Sequence, residues 1–506
     1  MTSHPKVLMV DGVADRVREL KTAGQRVAHC HGCFDLMHPG HIRHFEAAKR
    51  LADVLVVTVS PDRYVDKGPN RPVFNETLRA ESIASLECVD FVAINQWPTA
   101  VETIKAIRPD YFVKGQEFAG EQDVTGKLQQ EIAAVKEIGG EMRYTDDIVF
   151  SSTRVINEHF DVLPEDLRDF LSAFKSAGYA DAVWESLEAI KELRILVIGD
   201  AIIDDYHYCM PMNKSPKANV ITSQYLREEA GIGGALCIGN HLSSFCDNVT
   251  LLSCFGSRDD YLDYTRANLS GGVELVPVVR DGAFTTQKRR YIDNTFRQKV
   301  FEIHFFDDTP VDGNVEDEFC QFLTDRLSGF DLVIVGDFGH GVMTKRIIDT
   351  LCDSDTFLSM TVQTNSANFG FNYVTKYPRA DYVAIDEREV RLAMHDRFAP
   401  VTDLIGNLSE RLKTKRFAVT LGRKGSMIRE RGRLIQVPIV TRSVVDTVGA
   451  GDAFLALSAP LAKLDAPPEV MLFLGNIAGA MAANIVGNNE KIAEAEFKKF
   501  LSVLLK

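Results

Sequence analysis

The sequence lacks the marks of several protein classes. Its nine cysteines are scattered through 506 residues and are odd in number, which does not make a secreted disulfide framework and points instead to a reducing cytoplasm. The opening stretch from Met1 to Glu19 carries charge throughout and lacks the apolar core of a secretory signal. Only one long run is free of charge, Val470 to Asn489, and it contains Asn476, Asn484, Asn488 and Asn489. That run predicts a buried helix in a globular domain rather than a membrane span. There is no basic excess either: Lys+Arg 57 against Asp+Glu 71 leaves a formal charge of −14. A bulk electrostatic role on nucleic acid or an anionic membrane is therefore not expected, and any cationic site must be local. Repeats, low-complexity tracts and Ser/Gly/Pro-rich linkers are missing.

What remains is ordinary globular composition, 45% hydrophobic and 25% charged, so most of the chain should fold. At roughly 150 residues per domain, the length allows about three domains or two large ones. Two apolar runs lead straight into glycine and acidic residues, Val27 to Asp35 and Ile195 to Asp200. After each, short β-branched runs alternate with helical patterns. The runs are Val54 to Val59, Phe91 to Ile94 and Tyr111 to Val113 in the first part, then Val249 to Ser253, Leu332 to Val335, Tyr382 to Ile385 and Phe417 to Thr420 in the second. This is the pattern of parallel sheets covered by helices. Between them, Leu163 to Glu192 reads as two helical stretches, started by Pro164-Glu165-Asp166 and broken at Gly178. The domain boundary is expected between 160 and 192.

The first chemical cluster is Gly32-Cys33-Phe34-Asp35-Leu36-Met37-His38-Pro39-Gly40-His41. A strand ends at glycine, a turn follows, and two imidazoles meet at the start of a helix, a geometry suited to phosphate. A metal site is the competing reading, because His29, Cys30, His31, Cys33, His38, His41 and His44 crowd together. Cys30-x2-Cys33 has no matching second pair, however, and strand alternation sends Cys30 and His31 to opposite faces.

Over roughly residues 25 to 160 this part resembles the cytidylyltransferase-like nucleotidyltransferases, and among them the heptose-phosphate adenylyltransferases. The resemblance rests on Gly32 to His41, on Lys67-Gly68-Pro69-Asn70-Arg71-Pro72-Val73 followed by Arg79, on Val113-Lys114-Gly115 and on Phe150 to Ile156. It implies in-line attack of a sugar-phosphate oxygen on the α-phosphorus of a nucleoside triphosphate, with catalysis by positioning and charge. His38 and His41 would stabilise the transition state, the Gly32-Cys33-Phe34 turn would hold nucleotide, and Lys67, Arg79 and Lys114 would neutralise phosphate charge. Ser151, Ser152 and Thr153 would bind phosphate oxygens. The residues leave ATP and CTP equally open.

The second cluster is Asp446-Thr447-Val448-Gly449-Ala450-Gly451-Asp452. Its glycines give a turn whose N–H groups can face a phosphate, and its last aspartate can take a proton from an attacking hydroxyl. No Gly-x4-Gly-Lys-Ser/Thr loop exists to do this work. From about 193 to 505 the chain resembles the ribokinase-like sugar kinases. Asp452 would be the base, and Gly449, Ala450 and Gly451 the anion turn. Thr420, Gly422 and Gly425 would lie on the nucleotide side, and Asp200, Asp204, Gly233, Gly234 and Asp337 on the sugar side. Asp386 and Glu389 would hold Mg²⁺ through water. Segments near 206 to 226 and 284 to 306 would form a small β-lid that pairs protomers. Three departures from the family pattern stand out: Leu236-Cys237 after the Gly-Gly turn, Asp386-Glu387-Arg388-Glu389 at the magnesium motif, and Gln363-Thr364-Asn365 in place of Asp-Pro-Lys.

The expectation is therefore an α/β chain with a Rossmann-like nucleotidyltransferase domain over 1–160, a helical connector over 161–192 and a ribokinase-like domain with a β-lid over 193–506. The resemblance implies a bifunctional enzyme that uses ATP, or CTP in its first domain, with Mg²⁺ to make a nucleotide-activated sugar. Its domain order is reversed relative to the heptose enzymes, whose kinase comes first. An alternative is an N-terminal cytidylyltransferase for a polyol or amino-alcohol phosphate, carrying a degenerate kinase as a dimerising scaffold.

Overall fold

The computed structural model describes residues 4–65, 72–115, 127–145, 163–307, 309–441, 444–485 and 490–505. They form two compact units, Met1–Arg168 with Ala495–Lys506, and Asp169–Glu494.

The first unit is built on five parallel strands: β1 (Val27–Gly32), β2 (Val54–Val59), β3 (Phe91–Ile94), β4 (Tyr111–Gly115) and β5 (Glu141–Thr145). Their order is β3-β2-β1-β4-β5. β2 is buried along its whole length, as its unbroken Val/Leu/Thr composition requires of a strand covered on both faces. On one face Cys30 and Val57 pack with Phe45 and Ala48 of the helix Pro39–Leu51. On the other, Val10, Val13 and Val17 of the helix Val10–Thr22 cover Val27 and Val56. The direction in which successive strands are added across the sheet reverses between β1 and β4, and a crevice opens at the carboxyl ends of such a pair. Both the Gly32–His41 segment and Lys114 lie at those ends.

The second unit is organised by one strand. β6 (Arg194–Lys214) runs for 21 residues. Its first part lies between β8 (Asn248–Gly256) and β12 (Leu332–Asp337) in a parallel sheet. That sheet continues through β9 (Val273–Arg280) on one side, and through β13 (Phe357–Val362), β14 (Tyr382–Asp386) and β15 (Arg416–Thr420) on the other. Antiparallel β16 (Ser426–Glu430) and β17 (Arg433–Val437) close the far edge. From Ala201 onward β6 pairs instead with antiparallel β7 (Ile221–Gly234) and parallel β10 (Thr286–Asp293), which in turn pairs with β11 (Gln298–Phe305). This second sheet is the lid. It starts earlier than the sequence suggested because the strand does not stop at Gly199-Asp200.

The connector is helical, with helices Glu165–Ser176 and Tyr179–Ile190 separated at Gly178, whose φ is 77°. Phe170 and Phe174 pack against Phe473, so the connector joins the second unit from Asp169 on. The uncharged run forms the buried helix Pro468–Ala482, and residues 486–489 lie outside the described residues. Among the described residues no helix is long and apolar enough to cross a membrane.

Candidate active sites

In the first unit the turn after β1 is set by a close approach. A Cβ on Gly32 would stand 2.9 Å from the ring of Phe34, which folds back in a left-handed backbone conformation, φ 47°. Asp35 is buried, and its Oδ1 accepts the N–H groups of Val73 at 2.6 Å and Phe74 at 3.2 Å. His38 is the N-cap of the helix Pro39–Leu51, and its Nδ1 accepts from the Gly40 N–H at 3.1 Å. In a neutral ring the proton therefore sits on Nε2. The His38 ring stacks on His41 with centroids 3.9 Å apart, and Phe34 meets His41 edge-on at 5.3 Å. Two imidazoles are thus held together at a helix N-terminus, where N–H groups and the helix dipole favour an anion.

The histidines of β1 have another job. His29 Nε2 and His31 Nδ1 both bond Thr58 Oγ1, at 2.7 and 2.9 Å. Burial pushes His29 down to about 3 and His31 well below its ordinary value. Cys30 faces the core on the opposite side. No group of three or more metal-ligating side chains occurs among the described residues.

Lys114 lies one residue before the end of β4, with its Nζ 2.8 Å from Glu131. Arg79 is placed otherwise than expected. It is 1% exposed. Its Nε donates to Phe74 O at 2.9 Å, one Nη to Cys33 O, and the other to Ser60 O at 2.8 Å and to Asp62 Oδ1 at 2.5 Å. The guanidinium braces the Gly32–Phe34 turn instead of facing a phosphate. Arg79→Met should leave Asp62 and three carbonyl oxygens without their donor, and lower the stability of the first unit by about 3 kcal/mol. Urea unfolding followed at Trp97 checks this, and an unchanged midpoint would contradict the bracing role. Lys67, Ser151, Ser152 and Thr153 lie outside the described residues.

In the second unit Gly449, with φ 79°, caps the helix Ala450–Lys463, so Asp452 sits in its first turn behind the Ala450-Gly451 backbone. Asp452 is buried, and Gln363 Nε2 donates to its Oδ1 at 3.2 Å. Burial and the nearby Asp204 push its carboxyl up to about 7, against the opposing pull of Lys288. A carboxyl near that value is a competent base at neutral pH. It must be ionised to accept a proton, so phosphoryl transfer should rise with pH through about 7 and level off above it. A pH profile of ADP release checks this, and a flat profile from 5.5 to 8.5 on the same principle would remove Asp452 from the chemistry.

Asp204 is buried and paired with Arg290 Nη1 at 2.5 Å. A Cβ on Gly233 would stand 2.3 Å from Asp204 Oδ2, so the Gly233-Gly234 turn is what lets this carboxylate fit. Asp446 links the signature to the lid: it accepts from Tyr206 OH at 3.0 Å and pairs with Lys299 at 3.2 Å. On the nucleotide side, Thr420 ends β15, and Leu421 N donates to Gly425 O at 2.8 Å to close the turn through Gly422.

Two expected sugar ligands serve the loop after β12. Asp200 accepts the N–H groups of Phe338 at 2.8 Å, His340 at 3.2 Å and Val342 at 3.3 Å. Burial and Asp337 push its carboxyl up to about 6. Asp337 is fully buried, accepts from Tyr377 OH at 2.6 Å and pairs with Lys376 at 2.6 Å. Asp337 is therefore a loop anchor rather than a group facing sugar, whereas Asp200 also lines a cavity. Asp386 and Glu389 form a capping box: Glu389 N donates to Asp386 Oδ1 at 2.8 Å, and Asp386 N to Glu389 Oε2 at 3.0 Å. Burial and Asp386 push Glu389 up to about 8. Lys288 and Arg290 went unnoticed in the sequence, and Gln363 stood out there only as a departure from the family pattern, with no role attached. The alternation Thr286, Lys288, Arg290 along one lid strand was the signal available for both.

The pattern of the pfkB family carbohydrate kinases matches residues 192–494. The chain belongs to that family. The cytidylyltransferase-like pattern matches residues 29–228, so both resemblances hold. The bifunctional protein HldE of Methylobacillus flagellatus is 39% identical over 150 residues, 29% of this chain and 30% of that protein. HldE of Trichlorobacter lovleyi is 26% identical over 305 residues, 59% of this chain and 60% of that protein. The chain thus spans between 30% and 60% of the length of these two relatives. The crystal structure of phosphofructokinase-2 from Escherichia coli in complex with substrates and products superposes with a TM-score of 0.50 at 15% identity, over 62% of this chain and 100% of that one. That likeness supports the α/β kinase fold of the second unit.

Proposed function

We propose that the chain is a bifunctional cytoplasmic enzyme that makes a nucleotide-activated, heptose-like sugar, with 1–160 as nucleotidyltransferase, 161–192 as connector and 193–506 as kinase. The observation that carries the kinase half is Asp452, buried in the first turn of a helix, held by Gln363 and pushed up to about 7. A sugar hydroxyl gives its proton to Asp452, and its oxygen bonds to the γ-phosphorus of ATP as the bond to ADP breaks. The backbone N–H groups of Gly449, Ala450 and Gly451 hold the transferring phosphoryl group. Lys288, within electrostatic reach of Asp452, Asp204 and Asp200, supplies cationic charge from the lid.

In the transferase half, an oxygen of a sugar 1-phosphate bonds to the α-phosphorus of ATP or CTP and pyrophosphate leaves. His38 and His41 at their helix N-terminus carry the charge stabilisation, joined by Lys114 and by Lys67, Ser151, Ser152 and Thr153. Magnesium fits the second unit at Asp386 and Glu389, because the capping box commits one oxygen of Asp386 and leaves the other for a water of a hydrated cation. The bound ion supplies charge neutralisation for the triphosphate. The lid exposes Met210, Met212, Ile221, Tyr225, Val300 and Phe301, an apolar face fit for a second copy of the lid.

Incubation with ATP or CTP and a panel of sugar 1-phosphates, following pyrophosphate, tests the transferase. ATP with sugars and sugar phosphates, following ADP, tests the kinase. Reaction of non-sugar phosphates alone would overturn the sugar reading, and ADP release from no sugar would favour the scaffold.

A further inference from the structure

The anion turn of the second unit has little of its own to hold it. Gly449 is left-handed, with φ 79°, and a Cβ on Gly451 would meet nothing within 4 Å. Side-chain packing therefore does not fix this stretch, and glycine is the residue with the most backbone freedom to lose. On the far side the helix Pro468–Ala482 comes close: a Cβ on Gly479 would stand 3.1 Å from Ala450 O. On the near side the turn depends on Asp446. The N–H groups of Val445 and Asp446 both donate to Ala483 O, at 2.9 and 3.1 Å, and Asp446 Oδ1 accepts the Val448 N–H at 3.2 Å.

The other partners of Asp446 come from the lid. Tyr206 of β6 donates its hydroxyl to Oδ2 at 3.0 Å, and Lys299 of β11 pairs with Oδ1 at 3.2 Å. Tyr206 is buried, and burial pushes its hydroxyl above the ordinary phenol value, so it is a donor at working pH. Arg290 and Lys299 lie 5.4 and 6.0 Å from its ring centroid, which further fixes the ring. Two residues earlier, on the same face of β6, stands Asp204, paired with that same Arg290. One short stretch of lid strand thus carries both the carboxylate expected on the sugar side and the hydroxyl that holds the entry to the anion turn.

Resting on the kinase reading above, we propose that Tyr206 is a positioning residue for phosphoryl transfer: through Asp446 it sets the place of the Gly449, Ala450 and Gly451 N–H groups relative to the sugar held by the same strand. Preorganised donors stabilise developing charge only where they are aimed at it, and a misplacement of about 1 Å can cost on the order of 10²-fold. Removing the Tyr206 hydroxyl leaves the ring in place and frees one oxygen of Asp446, so the turn keeps its fold and loses its alignment. The effect belongs to kcat, because the hydroxyl is spent on Asp446 and not on either substrate. Lys299 contributes less, since its side chain is 37% exposed.

The test uses the full chain, ATP and the sugar that gives the fastest ADP release. Tyr206→Phe is expected to lower kcat by about 10-fold while KM for the sugar and for ATP stays within about 2-fold. Lys299→Met should lower kcat by about 2- to 3-fold, and Lys299→Arg should retain most of it. Asp446→Ala, which also strands the Val448 N–H, should lose more than Tyr206→Phe. Adding Tyr206→Phe to Asp446→Ala should change little, because the two share one contact. Thermal melting of each variant separates loss of fold from loss of alignment. Wild-type kcat in folded Tyr206→Phe overturns the proposal and leaves the kinase reading standing, as does a loss confined to KM or an undiminished loss in the Asp446→Ala background. If Tyr206→Phe does not fold, wild-type kcat in folded Lys299→Met overturns it. A wild type that releases ADP from no sugar overturns the kinase reading, and this inference with it.

Discussion

Asp452→Asn is expected to lower sugar-dependent ADP release by on the order of 10³-fold, the scale of losing a general base together with its placement. The substitution is nearly isosteric, and an asparagine amide can still meet Gln363, so the helix start should persist. The site also stops carrying a buried carboxyl that its surroundings oppose ionising: burial and Asp204 hold it near 7 rather than 3.8. That opposition lowers stability progressively as pH rises from about 3.8 to about 7, has its full size above 7, and vanishes in the asparagine variant. The melting temperature should therefore not fall at pH 8. A variant that melts normally, keeps nucleotidyl transfer and loses only ADP release would separate the two chemistries cleanly. ADP release at the wild-type rate would sink the assignment.

The second large effect is expected in the other unit. His41→Ala should lower pyrophosphate release by on the order of 10²-fold or more, the usual cost of removing one preorganised stabiliser of developing charge. His41 stacks on His38 and meets Phe34 edge-on, so the alanine also loosens its neighbour. Most of the loss should appear in kcat. His38→Ala should lower activity too and remove the cap that accepts from Gly40 N, which costs the helix roughly 1 kcal/mol. Turnover by folded His41→Ala equal to that of the wild type would remove the histidine pair from the mechanism.

Much of this architecture was legible in the sequence because parallel sheets write themselves as unbroken apolar runs, as in Val54 to Val59, and because glycine turns mark where backbone must approach closely. The α/β class followed from such signals, while the kinase family and a lid followed from the resemblance carried by Asp446 to Asp452. What the sequence could not convey was side-chain commitment. Arg79 reads as a cation available to phosphate, yet its donors are taken up by three carbonyls and one carboxylate once the loop has folded around it. Asp337 likewise reads as a sugar ligand until Tyr377 and Lys376 arrive from forty residues downstream. Conversely, the contact of Gln363 with Asp452 emerges only when loops distant in sequence converge. The departures from the family pattern were visible as letters, and their meaning lies in the packing.

The continuity of β6 has a mechanical consequence. Because one 21-residue strand belongs to both the parallel sheet and the lid, the lid has no free joint on that strand. Turning the lid about that strand would have to disturb ladder pairs on either side of Asp200 and Ala201. The parallel sheet and the lid therefore share one frame, set by a single strand.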